Sequence, residues 1–219
     1  MSIQISAQHV KKLRLKTGAG MMDCKKALQE SEGNFDKAIE NLKLKGLASA
    51  GKKASRRTAE GIIESYIHAG AKIGVMVELN CETDFVARRA EFQELSRNIA
   101  MQIAACPQVE YIDVESIPLS LIEEERRLEA CKDDIVHKPE GVKKQIIEGR
   151  IKKRLNELSL LNQAFIRNPD ISIQDLINQN ISLTGENIKI RRFVKFLLGE
   201  GIDKSGQDFS EEVASLIKS

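Results

Sequence analysis

Ile73-Gly74-Val75-Met76-Val77-Glu78-Leu79-Asn80-Cys81 runs directly into Glu82-Thr83-Asp84-Phe85-Val86, and the junction between the two decides how the chain folds. Ile73, Val75, Val77 and Leu79 alternate with other residues, which sets them on one face of a β-strand because successive side chains point to opposite sides. The polar turn that follows carries a carboxylate beside a phenyl ring. Two readings of Asp84-Phe85 stand. In one, Thr83 or Asp84 caps the helix that begins here and Phe85 enters the core. In the other, the turn displays the pair to a partner.

Working outward, Gly61, Ile63, Tyr66 and His68 form a second strand that turns at Ala69-Gly70-Ala71 into the first, a β-hairpin. His68 beside that turn reads as an ordinary half-exposed residue. Downstream, Phe92, Leu95, Ile99 and Ile103 mark the inner face of one long helix from Phe85 towards Cys106, ended by Pro107. Residues 118–160 carry dense charge at helical spacing, with Leu121, Leu128, Val142, Ile146, Leu155 and Leu158 as the apolar positions. They predict an antiparallel helical pair broken near Lys138-Pro139. Ile173, Leu176 and Ile177 mark a short helix before Gly185. Ile188, Ile190, Val194, Phe196 and Leu198 then alternate as a third strand, its other face carrying Lys189, Arg191 and Lys195. Asp208 to Lys218 has the pattern of a closing amphipathic helix.

The N-terminal part follows a different rule. Ser6 caps a helix through Val10 and Leu13 that breaks at Thr17-Gly18; Asp23–Ser31 and Phe35–Lys45 repeat the helical pattern around a turn at Gly33-Asn34. The predicted architecture is α+β. Residues 1–45 form a three-helix module like a ubiquitin-associated module and residues 46–57 a basic linker of small residues. Residues 58–200 form a core with a three-stranded antiparallel sheet packed with helices, and residues 201–219 a C-terminal helical segment.

The 219 residues, 42% of them apolar, suffice to bury a core in one or two domains. No apolar run approaches the roughly 20 residues of a membrane span, and Met1 to Val10 lacks the apolar stretch of a secretory signal. A soluble protein of the cytosol or an organelle interior is expected. Net charge is +2, yet residues 1–57 hold 13 Lys/Arg against 5 Asp/Glu and the remainder 21 against 27. That basic arm suits an acidic protein surface or solvent better than nucleic acid, since Phe35 is its one aromatic residue for base stacking. A nucleic-acid adaptor using this arm with Lys189 and Arg191 is the rival from a different class, and a binder of ubiquitin-like proteins is a third reading, resting on the helical module alone.

Cys24, Cys81, Cys106 and Cys131 show no C-x-x-C pair and the three histidines no H-E-x-x-H, so no metal site is expected and the thiols read as reduced. No G-x-x-x-x-G-K-[ST] loop cradles a phosphate and no nucleophile set is recognisable. An enzyme is not indicated, nor a cofactor.

A second segment, Thr17-Gly18-Ala19-Gly20-Met21-Met22-Asp23-Cys24-Lys25-Lys26-Ala27-Leu28, shifts the balance when taken with the first. Together with Gly61 to Val86, Glu148-Gly149-Arg150-Ile151-Lys152-Lys153, Gly199-Glu200-Gly201-Ile202, Asp208-Phe209 and Glu211 to Ile217, it resembles the elongation factor Ts family, guanine-nucleotide exchange factors for elongation factor Tu. The resemblance covers nearly the whole chain. Long members carry a second core subdomain and a coiled-coil insertion, so this looks like a short form. The resemblance implies that Thr83, Asp84, Phe85 and Val86 insert beside the magnesium and phosphate region of elongation factor Tu, with Phe85 as the wedge. It also implies that Leu13, Met21 and Met22 form an apolar patch on the same partner, although Met21 and Met22 taken alone read as core filler. A homodimer through the sheet or helices would give a two-to-two assembly. Direct contact with nucleic acid or a membrane is not expected.

Overall fold

The computed structural model describes residues 5–136 and 138–202. The amphipathic segment from Asp208 to Lys218, and all but the first two residues of the expected C-terminal segment, lie outside them. Helices α1 (Ala7–Thr17), α2 (Met21–Glu30) and α3 (Phe35–Lys53) come first, followed by the hairpin β1 (Glu60–Ile67) and β2 (Ile73–Cys81). Helices α4 (Asp84–Ala87), α5 (Ala90–Ala105), α6 (Leu119–Ala130), α7 (Asp133–Val136) and α8 (Glu140–Leu158) lead to the short strands β3 (Ala164–Phe165) and β4 (Asn168–Ser172). Helix α9 (Ile173–Thr184) and strand β5 (Lys189–Leu197) complete the described residues. β1, β2 and β5 form one antiparallel sheet with β2 in the centre, so the expected α+β class and three-stranded sheet are both present.

The central strand obeys its alternation. Val75, Val77, Leu79 and Cys81 are buried and pack in one cluster with Phe92, Leu95, Ile99 and Ile103 of α5 and Ile173, Ile177 and Ile181 of α9. Full burial of one such side chain is worth about 1.5–3 kcal/mol, so this layer dominates the stability of the core. A buried polar group survives there because it is fully used. Gln102 donates to the carbonyl of Ala164 (3.0 Å) and accepts from the amide of Ile166 (2.8 Å), tying α5 to the β3–β4 hairpin.

Where β1 meets β2, the backbones approach closely. Gly61 has φ +149, and a Cβ there would sit 2.1 Å from the carbonyl oxygen of Leu79. Only glycine fits.

Four expectations are corrected. First, the helix expected from Phe85 to Cys106 is two helices, because Arg89 is extended (φ −69, ψ 139) and restarts the chain as the N-cap of α5. Second, residues 46–53, expected as part of the linker, continue α3 by two further turns. Ala50 of that extension joins the main core, and a Cβ at Gly46 would stand 3.1 Å from the Ser182 hydroxyl of α9, so small residues let the two helices pack closely. A composition of Gly, Ala and Ser is shared by linkers and by tight helix contacts, and tertiary packing decides between them. Third, β5 does not keep its phase. Leu79 pairs with Ile190 but Glu78 with Arg192, so Arg191 is an extra residue, a β-bulge that reverses the facing of everything after it. Val194, Phe196 and Leu198 are exposed, while Lys195 turns to the helical side, where its ammonium reaches the carbonyl of Val109 at 3.2 Å. Fourth, in the helical pair Leu128 and Val142 are exposed; Ile147 and Ile151 fill a separate small core with Ile117, Ile135, Leu155 and Leu158. Arg150 ties α8 to Glu129 and Asp134 across that core.

All four cysteines are free; Cys24 and Cys81 are buried and Cys131 is exposed. Burial, reinforced by the nearby Glu186 carboxylate, pushes the Cys81 thiol up to about 11, so it stays protonated and unreactive at neutral pH. Two outcomes are expected. Gly61→Ala lowers stability by about 3 kcal/mol or more in urea unfolding, the cost of a strained backbone plus a steric clash. In native alkylation with iodoacetamide at pH 8, followed by mass spectrometry, Cys131 is modified while Cys81 is spared.

Candidate functional site

At the end of β2 the chain turns into α4, which has only four residues, Asp84–Ala87. A helix this short cannot sustain itself, since nucleation costs more than one turn returns. Tertiary contacts hold it. Val86 and Ala87 are buried in the main core, and the Cys81 thiol donates to the carbonyl of Thr83 at 3.1 Å. Thr83 is extended (φ −130, ψ 155) and is the N-cap, its hydroxyl accepting from the amide of Val86 at 3.4 Å.

The remaining support comes from a distant loop. Glu186, just after α9, accepts from the amides of Glu82 (3.1 Å) and Thr83 (3.0 Å) and from the Thr83 hydroxyl (2.6 Å). In return the carboxylate of Glu82 accepts from the amide of Asn187 at 2.7 Å. These are charge-assisted bonds, stronger than neutral ones.

The geometry keeps one half of the first reading of Asp84-Phe85 and not the other. Thr83 caps the helix, but Phe85 does not enter the core: 78% of its surface is exposed. Its backbone is fixed by buried neighbours while its ring stands in solvent. Asp84 points outward too and pairs only with Arg88, one turn on, at 2.7 Å. An exposed pair of this kind is worth a few tenths of a kcal/mol, about 0.3–0.5 for i,i+4 partners, and is readily exchanged for another.

On the N-terminal module, Met21 and Met22 open α2 and are 42% and 75% exposed. They are surface residues, not core filler. Leu13 is different: it is fully buried with Val10, Cys24, Ala27, Leu28 and Ala38, so it stands behind the surface and cannot belong to an exposed patch. Its spacing from Val10 could have shown this, because i and i+3 share a face. The exposed leucine of α1 is Leu15, about 200° round the helix from Leu13.

Glu186 and Asn187 have no signal in the sequence beyond following Gly185, where α9 ends with φ +81. Asn187 is nevertheless 1% exposed, and its carboxamide donates to the carbonyls of Arg56 (2.9 Å) and Ala54 (3.4 Å) beyond the end of α3. The clefts beside α3, of about 220 Å³ against α9 and about 990 Å³ against α9 and β5, are not lined by residues 80–87. Phe85 stands exposed, apart from both clefts. Among the described residues no group of three or more His, Cys, Asp or Glu could hold a metal ion, and no helix is long and apolar enough to cross a membrane.

Comparison with known proteins agrees over the whole length. The family model described as Elongation factor TS matches residues 4–200. The chain is 63% identical over 217 residues to the chloroplastic elongation factor Ts of Porphyra purpurea, covering 99% of each chain, and 64% identical over 217 residues to that of Pyropia yezoensis, again 99% of each. It is 58% identical over 212 residues to the elongation factor Ts of Synechococcus elongatus, covering 97% of this chain and 96% of that one. With a family model spanning both the helical module and the sheet core, and relatives alike from end to end, the chain belongs to the elongation factor Ts family and has a role in translation elongation.

Proposed function

We propose that this protein is the guanine-nucleotide exchange factor for elongation factor Tu and acts by contact alone, without covalent chemistry or a cofactor of its own. The observation that carries the reading is the exposed ring of Phe85 on a turn whose next two residues are buried. An aromatic side chain held outward by a fixed backbone costs little ordering entropy on binding, which is what an anchor residue requires. In the complex Phe85 fills an apolar pocket near the magnesium and phosphate region of elongation factor Tu and displaces the groups that orient the ion. Asp84 exchanges Arg88 for hydrogen bonds there, and Thr83 and Val86 keep the turn in shape.

The energetics are a linkage. A factor that binds the nucleotide-free partner better than the GDP-bound one must, reciprocally, weaken GDP. A shift of about four decades takes about 5.5 kcal/mol of differential binding. GTP re-entry then releases the factor unchanged. Met21 and Met22 supply a second contact on the same partner. The continuous α3 makes the two contacts parts of one stiff body, so the second arrives pre-oriented instead of through a mobile tether.

A homodimer has its own support. Because of the bulge at Arg191, the outer face of the sheet carries the row Ile67, Gly74 and Phe196 beside the row Ser65, Met76 and Val194, with the Glu78–Arg192 pair at 2.7 Å next to them. Ile67, Met76, Val194 and Phe196 are all exposed there, together with Ile63 on the same face. A contiguous apolar sheet face rimmed by charge is a typical protein interface, and self-pairing through it gives the two-to-two assembly.

In stopped-flow release of a fluorescent GDP analogue from elongation factor Tu, Phe85→Ala lowers the maximal rate about tenfold or more, the scale of one lost anchor. Met21→Ala with Met22→Ala raises the concentration of factor needed for half-maximal rate and leaves the maximum intact. Full wild-type rate at saturating Phe85→Ala would end the wedge role. In sedimentation across a micromolar concentration series the wild-type chain is dimeric, and Met76→Glu with Phe196→Glu makes it monomeric; a wild-type monomer throughout the series would count against the dimer.

A further inference from the structure

Phe85 is useful only if the turn that carries it is aimed, and the atoms that aim it lie outside the turn. The amides of Glu82 and Thr83 and the Thr83 hydroxyl all point at one carboxylate, that of Glu186, about a hundred residues away in sequence. Glu82 reaches the opposite way to the amide of Asn187, so the two loops hold each other reciprocally. From Asn187 the same clasp continues to the carbonyls of Ala54 and Arg56, at the end of the long helix that carries the N-terminal module, and Arg56 closes the circuit on Glu82 at 3.5 Å. Among the described residues no other side-chain hydrogen bond or ion pair links the β2–α4 turn, the α9–β5 loop and the end of α3. We infer that Glu186 is the positioning residue of the Phe85 wedge, and that Asn187 extends its hold to α3 so that wedge and module keep one fixed relation. The inference rests on the proposed role of Phe85 and adds the residues through which that role is set.

The chemistry fits a positioner better than a partner contact. Both oxygens of Glu186 are used internally: one receives two backbone amides and the other the Thr83 hydroxyl. Glutamine can imitate much of this, its carbonyl taking the amides and its NH2 donating to the hydroxyl, whereas alanine leaves both amides without their acceptor. A residue that only stabilised the fold would, on removal, reduce the amount of active protein. A residue that aims Phe85 reduces the maximal rate of properly folded protein and does so only while Phe85 is present.

The experiment is a double-mutant cycle of Glu186→Ala and Phe85→Ala in the GDP-release assay with full-length chains of confirmed circular dichroism, with Glu186→Gln as the conservative variant. Amide hydrogen exchange of Glu82 and Thr83 is measured in parallel. Glu186→Ala is expected to lower the maximal release rate about tenfold, as loss of charge-assisted hydrogen bonds implies. It leaves the half-saturating concentration within about twofold, adds less than about twofold in the Phe85→Ala background, and speeds exchange of both amides. Glu186→Gln retains most of the rate. An unchanged maximal rate, an additive loss beside Phe85→Ala, or undiminished amide protection would each overturn the inference while leaving the wedge intact. If Phe85→Ala alone leaves release unaffected, the wedge reading falls and takes this one with it. Should Glu186→Ala not fold, Glu186→Asp, which keeps the charge but draws the carboxylate back from its three donors, is expected to show the same pattern at smaller size.

Discussion

The inner row of β2, from Val75 to Cys81, is pressed against Phe92, Leu95, Ile99 and Ile103 of α5, and the turn that carries Phe85 hangs on that layer. β2 and α5 are consecutive regular elements joined only by the α4 turn. Once their apolar faces meet, the intervening residues 82–89 have little freedom left. Val86 and Ala87 are drawn inward with the layer, and the residue just before them is turned out. The exposure of Phe85 is thus a by-product of the same burial that stabilises the core, and the direction of the ring is left to the polar contacts of the turn.

Polar groups refine what the apolar layer begins. A four-residue helix with an exposed aromatic residue would fray if only its own hydrogen bonds held it. The carboxylates of Glu82 and Glu186 meet backbone donors on opposite sides of the junction, so neither is stranded, although both carry the same charge. Burial first, and the Glu186 carboxylate second, push the nearby thiol of Cys81 up to about 11. A neutral thiol is therefore retained beside the turn, which keeps that position chemically quiet.

Much of this was readable in the chain. Ile73 to Cys81 and the series Phe92, Leu95, Ile99 and Ile103 have unambiguous periods, and the hairpin, the three-helix module and α9 followed from comparable patterns. The failures have a common cause: they lie where a partner elsewhere in the fold overrides a local pattern. The end of α3 looks like a linker because its small residues were chosen for contact with α9, which local composition does not show. Plain alternation through Arg191 puts Val194, Phe196 and Leu198 on the face of Ile188 and Ile190, and a bulge is invisible to a period of two. At the candidate site Thr83 as a cap was legible, but whether Phe85 faced in or out was not, and Glu186 and Asn187 offered no motif at all. Leu13 shows the converse: its helical phase already placed it inside, and only the family resemblance placed it on the surface.

The extra residue at Arg191 also makes the strand a sensitive counter. Were the pairing to run straight through Arg191 without the bulge, the same letters would present a different surface: Val194, Phe196 and Leu198 would come into step with Ile190 and Phe193, Lys195 and Leu197 would face outward, whereas deletion of Arg191 itself would leave both faces as they are. Substitutions along β5 can therefore be absorbed one at a time, whereas loss of the bulge at unchanged length would trade the two faces at a stroke. The stickiness of the sheet's outer side is encoded less in which residues the strand contains than in where one of them is left out of the pairing.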